Sequence, residues 1–164
     1  METLREYSFT WTDPRELRQA MAGKPHLEWM QAMIDGETSG PPLASAFGYR
    51  FERAEPGHVE FSVDAHEWTA NPAGMMHGGF TATLLDTVLT LAVQTRLPDD
   101  RMATTIDLHV HLVRGVVPSG QSIRAEADAV HAGGTIGTAE GRVYGADGKL
   151  LAHGSGTFAV VPRS

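Results

Sequence analysis

The sequence predicts an α+β fold, one apolar helix set against an antiparallel sheet, and three observations carry that reading. Six runs after residue 46 alternate hydrophobic and polar residues, the period of a strand with one buried face. One stretch, Phe80 to Thr95, has helical length and almost no polar face. No repeat or low-complexity tract interrupts the 164 residues, a length that suits a single core.

Taken in order, residues 1–44 read as a helical N-terminal extension. Asp13-Pro14 has the residue types of an N-cap and first helical position, opening a helix through Met21. Leu27, Met30 and Ile34 keep helical spacing until Asp35-Gly36, and Ser39-Gly40-Pro41-Pro42 breaks the chain. Residues 45–164 form the main domain. Phe47, Tyr49 and Phe51 alternate, as do Val59, Phe61 and Val63, with Glu55-Pro56-Gly57 supplying the turn of a hairpin. After the helix, Ile106, Leu108, Val110 and Leu112 mark one face of a strand, with Thr105, Asp107, His109 and His111 on the other. Ile123, Ala125, Ala127 and Ala129 share a side of the next strand. Residues 135–145 follow, and Ala146-Asp147-Gly148-Lys149 turns them into a last strand through Val161.

Composition narrows the function. The chain contains no cysteine, which excludes disulfides, thiolate metal sites and a cysteine nucleophile. A net charge of −7 disfavours nucleic acid as a partner. No apolar run reaches the roughly 20 residues of a membrane helix, and the N-terminus lacks a signal pattern, so a cytoplasmic protein is expected. His109 and His111 share a strand face without a third ligand nearby, so no metal is expected.

Chemistry concentrates in the predicted helix and its approach. From Gly78 through Thr95 the only ionisable side chain is Asp86, a poor helix-interior residue and a costly one to bury. It either serves a function or faces solvent on a narrow stripe with Thr83, Thr87 and Thr90. His77-Gly78-Gly79 precedes it. The first-turn N–H groups of a helix have no internal partner, so they suit an oxyanion, although two glycines can also simply ease the loop into the helix. Asp86 lies nine residues beyond His77, too far along one helix for both to serve one small group. An extended substrate, an inserted water or a second subunit could bridge that distance, and the difficulty points towards a dimer with its site at the interface.

Asn71-Pro72-Ala73-Gly74-Met75-Met76-His77-Gly78-Gly79, followed by Leu84-Leu85-Asp86 and by Thr104-Thr105-Ile106-Asp107-Leu108, resembles the signature of hotdog-fold thioesterases of the phenylacetate-pathway (PaaI-like) type. The resemblance runs from Phe47 to the C-terminus. It implies a hotdog fold, a long central helix wrapped by an antiparallel sheet, and hydrolysis of an acyl- or aroyl-CoA thioester. CoA would enter as part of the substrate, with no cofactor. Asp86 would be nucleophile or general base, the Gly78 N–H the oxyanion contact, and Asn71 and His77 would orient the thioester. Thr105 would position water from the other subunit, and Gly79, Met76, Thr104 and Arg114 would touch substrate. The implied assembly is a dimer, paired again into a tetramer. Leu112-Val113-Arg114-Gly115 and His131-Ala132-Gly133-Gly134 depart from the family pattern near the CoA contacts. The alternative is a non-catalytic module that binds acyl thioesters or lipid.

Overall fold

A computed structural model describes residues 3–163. Three short helices come first: α1 (Pro14–Met21), α2 (His26–Ile34) and α3 (Pro42–Phe47). The hairpin β1 (Arg50–Glu55) and β2 (His58–Asp64) follows, then α4 (Gly78–Gln94). Strands β3 (Arg101–Leu112), β4 (Ser122–Ala132), β5 (Ile136–Tyr144) and β6 (Leu150–Pro162) complete the chain. All strands pair antiparallel in the order β1-β2-β4-β5-β6-β3, so β1 and β3 are the edges. The sheet curves round α4, which packs on β2 through β6. This is the hotdog arrangement implied by the resemblance.

Local chemistry accounts for the helix ends. The Asp13 carboxylate accepts the Arg15 N–H at 2.8 Å, with Pro14 at the first helical position. Phe47 departs from the strand expected for it. Pro42 starts a helix instead, and Gly48, at φ 71°, ends it in the left-handed region that favours glycine. The first strand therefore begins at Arg50 rather than near Phe47, and the 44/45 boundary falls inside α3.

Helix and sheet meet along one stripe. Leu85, Leu89 and Val93, spaced four apart on α4, lie over Gly154, Gly141 and Gly137. A methyl group at Gly137 would run into Val93, and one at Gly141 would crowd Leu89 at 3.2 Å. The bare backbone of β5 and β6 thus lets a helix with large side chains sit close. Leu84, Leu85, Val88, Leu89 and Val93 are fully buried there with Phe61, Val143 and Phe158.

Although its sequence shows almost no polar face, α4 is not covered on every side within one chain. Ala82, Thr83, Asp86, Thr87, Thr90 and Leu91 form a half-open face. Three threonine hydroxyls on it donate to the helix's own carbonyls: Thr83 to Gly79 at 2.9 Å, Thr87 to Thr83 at 2.8 Å and Thr90 to Asp86 at 2.7 Å.

Strand β3 does not alternate strictly. Its pairing with β6 shifts between Thr105 and Asp107, leaving Ile106 as a bulge. Thr105 pairs with buried Phe158, and Leu108 and Val110 pair with Gly156 and Gly154 on the same side. Thr105 therefore faces α4, not the outer face with Asp107, His109 and His111. Ile106 is turned outward and 59% exposed.

Gly154 tests the close approach. An added methyl there meets the His109 backbone oxygen as well as Leu85. Gly154→Ala is expected to lower stability by about 1–3 kcal/mol, read as a reduced urea midpoint with unchanged slope. A midpoint equal to the parent's would show that the strand yields freely.

Candidate functional site

The side chains at issue fall into two groups along α4, one at its first turn and one about two turns on, at its midpoint. In the first group, the loop from Ala70 to Met76 is shaped by Asn71. Its carboxamide oxygen accepts from the N–H groups of Ala73 at 2.9 Å and Met75 at 3.2 Å. Its own N–H reaches Met75 O at 2.7 Å. His77 caps the helix, with Nδ1 accepting the Gly79 N–H at 2.9 Å. The Gly79 donor is therefore occupied. Among the described residues the Gly78 N–H has no acceptor, which leaves it available at the positive end of the helix dipole.

A small cavity of about 250 Å³ opens there, lined by Asn71, Met76, Gly78, Leu112 and Arg114 among others. Among the described residues Arg114 is its only cationic side chain, and Leu112 from β3 comes so near that a methyl on Gly78 would lie 2.6 Å from its Cδ1. Met76 is buried and serves the core as well as this wall. His77 lies outside the lining, exposed on the loop.

In the second group, Asp86 and Thr105 come together within one chain. The Thr105 hydroxyl donates to Asp86 Oδ1 at 2.8 Å, and Thr90 Oγ1 lies 3.3 Å from Thr105 Oγ1. This overturns the expectation that Thr105 reaches Asp86 from another subunit, and the Ile106 bulge is the reason. Among the described residues Asp86 Oδ2 has no hydrogen-bond partner, so one carboxylate oxygen is held and the other is free. Both residues, with Thr104, Thr87 and Thr90, line a cleft of about 430 Å³.

Tyr49 closes the floor of that cleft. Burial pushes its phenol above the ordinary tyrosine value and the nearby Asp86 charge adds to the rise, while the Thr87 hydroxyl opposes both. The phenol thus stays protonated beside the carboxylate. Tyr49 and Thr90 were not singled out as site residues from sequence. Thr90 was legible only as part of a polar stripe, and Tyr49 only as a strand position.

The two groups stay apart. Gly78 and Asp86 are separated by eight residues of α4, or about 12 Å of helix. Asn71, Met76, Gly78 and Arg114 form one group, and Asp86, Thr104 and Thr105 the other.

The thioesterase superfamily pattern matches residues 73–152, which contain the end of the loop, α4 and strands β3, β4 and β5. A curated protein of Halobacterium salinarum, named as a candidate esterase, is 36% identical over 114 residues, spanning 66% of this chain and 74% of that protein. The chain belongs to the thioesterase superfamily. A crystal structure of a candidate thioesterase from Ralstonia eutropha, described as phenylacetic acid degradation-related, is 25% identical. It has a TM-score of 0.71 and matches 80% of this chain and 98% of its own. A hypothetical thioesterase from Streptococcus pneumoniae, solved with coenzyme A, shares the fold at 20% identity. Its TM-score is 0.64 over 70% of this chain and 86% of that one. Among the described residues no helix is long and apolar enough to cross a membrane.

The Tyr49 environment gives a pH signature. A raised phenol pKa means that the unfolded chain loses this proton first, so the contribution is intact below about pH 10 and is lost as pH rises above it. Urea unfolding at pH 8.5 and 10.5 is expected to show a drop in stability that Tyr49→Phe reduces. An equal drop in both proteins would place the titrating group elsewhere.

Proposed function

We propose that the chain hydrolyses an acyl- or aroyl-CoA thioester, with Asp86 as the reacting carboxylate and the Gly78 N–H as the oxyanion donor. The observation that carries this reading is the Asp86 carboxylate, held at Oδ1 by Thr105 and free at Oδ2, in a cleft of a thioesterase-superfamily chain. A carboxylate so fixed has two routes. It attacks the thioester carbon directly, the C–S bond breaks, the thiolate leaves, and water then cleaves the mixed anhydride. Or it takes a proton from water whose oxygen attacks the same carbon, again expelling thiolate. Either route yields free acid and thiol, and either places negative charge on the carbonyl oxygen, for which a preorganised N–H is worth about 3 kcal/mol.

The separation of Gly78 from Asp86 makes one chain carry two half-sites. A two-fold dimer with antiparallel α4 helices would bring Gly78 of one protomer beside Asp86 of its partner, twice. Two features support that assembly. The threonines on the open face of α4 satisfy their own hydroxyls, so covering them strands no polar group. The edge strand β3 carries Ile106 and Leu112 at 59% and 60% exposure, a long unpaired edge of the kind that chains cover. Arg114, which lines the Gly78 cavity, would be the cation to meet a CoA phosphate.

Thiol release from a panel of acyl- and aroyl-CoA esters tests the reading. Asp86→Asn is expected to lose at least about 100-fold in kcat. Thr105→Val, which removes the hydroxyl but keeps the shape, is expected to lose about 10- to 100-fold, since bonds to charged groups are worth about 1.5–3 kcal/mol, and Thr105→Ser to recover most of it. A parent protein, folded and dimeric, that binds these esters without releasing thiol would instead be an acyl-thioester-binding module.

A further inference from the structure

The N-terminal helices give the Asp86 cleft its second wall. Leu17 and Met21 of α1, Trp29 and Met33 of α2, and Leu43 of α3 all line it, opposite Asp86 and Thr105. These helices are fastened, not draped. The imidazole of His26 is buried at the foot of α4, with Nε2 2.9 Å from Arg101 O and 3.2 Å from Pro98 O. The Gln94 carboxamide beside it accepts the Ala103 N–H at 2.8 Å and donates to Arg101 O at 3.0 Å. Trp29 donates its indole N–H to His26 Nδ1 at 3.4 Å. At the α1 end the Arg163 guanidinium donates to Met21 O at 2.6 Å and to Lys24 O at 2.9 Å. Satisfied buried polar groups of this kind fix a single arrangement, so the wall stands in a set position relative to Asp86.

The lining also has a chemical bias. Among the described residues no lysine, arginine or histidine borders the cleft, and Asp86 is its only carboxylate. A volume of about 430 Å³ lies within the range of small-molecule sites. Accepting the thioesterase reading above, we infer that the chain's own N-terminal helices form the acyl-group site. That site selects uncharged, apolar acyl groups of medium length or with an aromatic ring, and disfavours acyl groups that end in a second carboxylate. A distal carboxylate would be desolvated against Trp29 and the methionines with no cation to meet it. An alkyl or phenyl group would instead replace water on an apolar wall. Asp86 and the threonines line the reacting end, beside the oxyanion donor of the proposed dimer, so chain-length preference resides in α1, α2 and α3.

Binding of acetyl-, butyryl-, octanoyl-, phenylacetyl- and succinyl-CoA to full-length Asp86→Asn, followed by calorimetry, tests this without requiring turnover. Affinity is expected to rise about two- to fourfold per methylene from acetyl to octanoyl, with phenylacetyl-CoA among the tight ligands and succinyl-CoA no tighter than acetyl-CoA. Met33→Trp, which fills the cleft, is expected to weaken octanoyl-CoA at least tenfold and acetyl-CoA less than threefold. Leu43→Trp at the exposed rim, where folding is not at risk, is expected to act in the same direction. A chain-length dependence that neither tryptophan alters, an affinity flat in chain length, or succinyl-CoA binding as tightly as butyryl-CoA would overturn the inference. Thiol release by the parent chain separates the two readings: the affinity ladder without turnover retains the acyl site and removes the hydrolase, and turnover with a flat ladder does the reverse.

Discussion

The distance between α4 and the sheet is the constraint on which the rest of the molecule depends. Leu85, Leu89 and Val93 reach the sheet only because Gly154, Gly141 and Gly137 present backbone beneath them. A side chain at any of these positions would lift the helix and open voids round Leu84 and Val88, which are fully buried. With that stripe fixed, the rotation of α4 about its axis is fixed too, and it sets which residues point away from the sheet. Asp86 lies at the edge of that stripe, against Thr105 of β3, with the three threonines turned further from the sheet. The position of the reacting group is thus a consequence of packing on the adjoining face of the same helix.

The same seating makes the Asp86–Thr105 contact depend on a single extra residue in β3. Without the bulge at Ile106, strict alternation would send Thr105 outward beside His109, and the carboxylate would lose its donor. With it, Thr105 joins Leu108 and Val110 on the inner side while Ile106 takes the outer position. Bulges that re-aim one side chain beside a reactive group are a recurrent use of the irregularity. Here the strand ladder on either side of the shift is unbroken, from Arg101–Pro162 to Leu112–Ala152.

Much of this was legible in the sequence, and the failures have identifiable causes. Asp13-Pro14 and Asp35-Gly36 marked helix limits because capping is local chemistry, and β4 could be read from Ile123, Ala125, Ala127 and Ala129 because each alternate residue is buried. Asp86 stood out because it was the sole charge in an apolar helix. The face of Thr105 was misread because a bulge leaves the composition of a strand unchanged and alters only its pairing. Phe47 was taken for a strand residue because three alternating aromatics outweighed Pro42 and Gly48, whose positions on either side of Leu43–Phe47 define a short helix. The wall formed by Leu17, Met21, Trp29 and Met33 was not singled out, since the capping of one helix and the spacing of Leu27, Met30 and Ile34 in the other show that helices form and not what they face.

On the proposed reading, the chain divides the recognition of a thioester among parts with different freedom to change. The oxyanion donor is a backbone N–H whose place is set by the α4 start and the Asn71 loop, so side-chain substitution cannot tune it without moving the helix. Asp86 and Thr105 are set by the glycine stripe and the bulge, and are equally rigid. The helices α1, α2 and α3 touch the cleft through side chains alone, while His26, Gln94 and Arg163 hold them through groups that point away from it. Residues such as Met33 and Leu43 are therefore free to vary in size without disturbing either the anchor or the reacting carboxylate. A fold arranged this way keeps one reaction constant while its acyl preference changes.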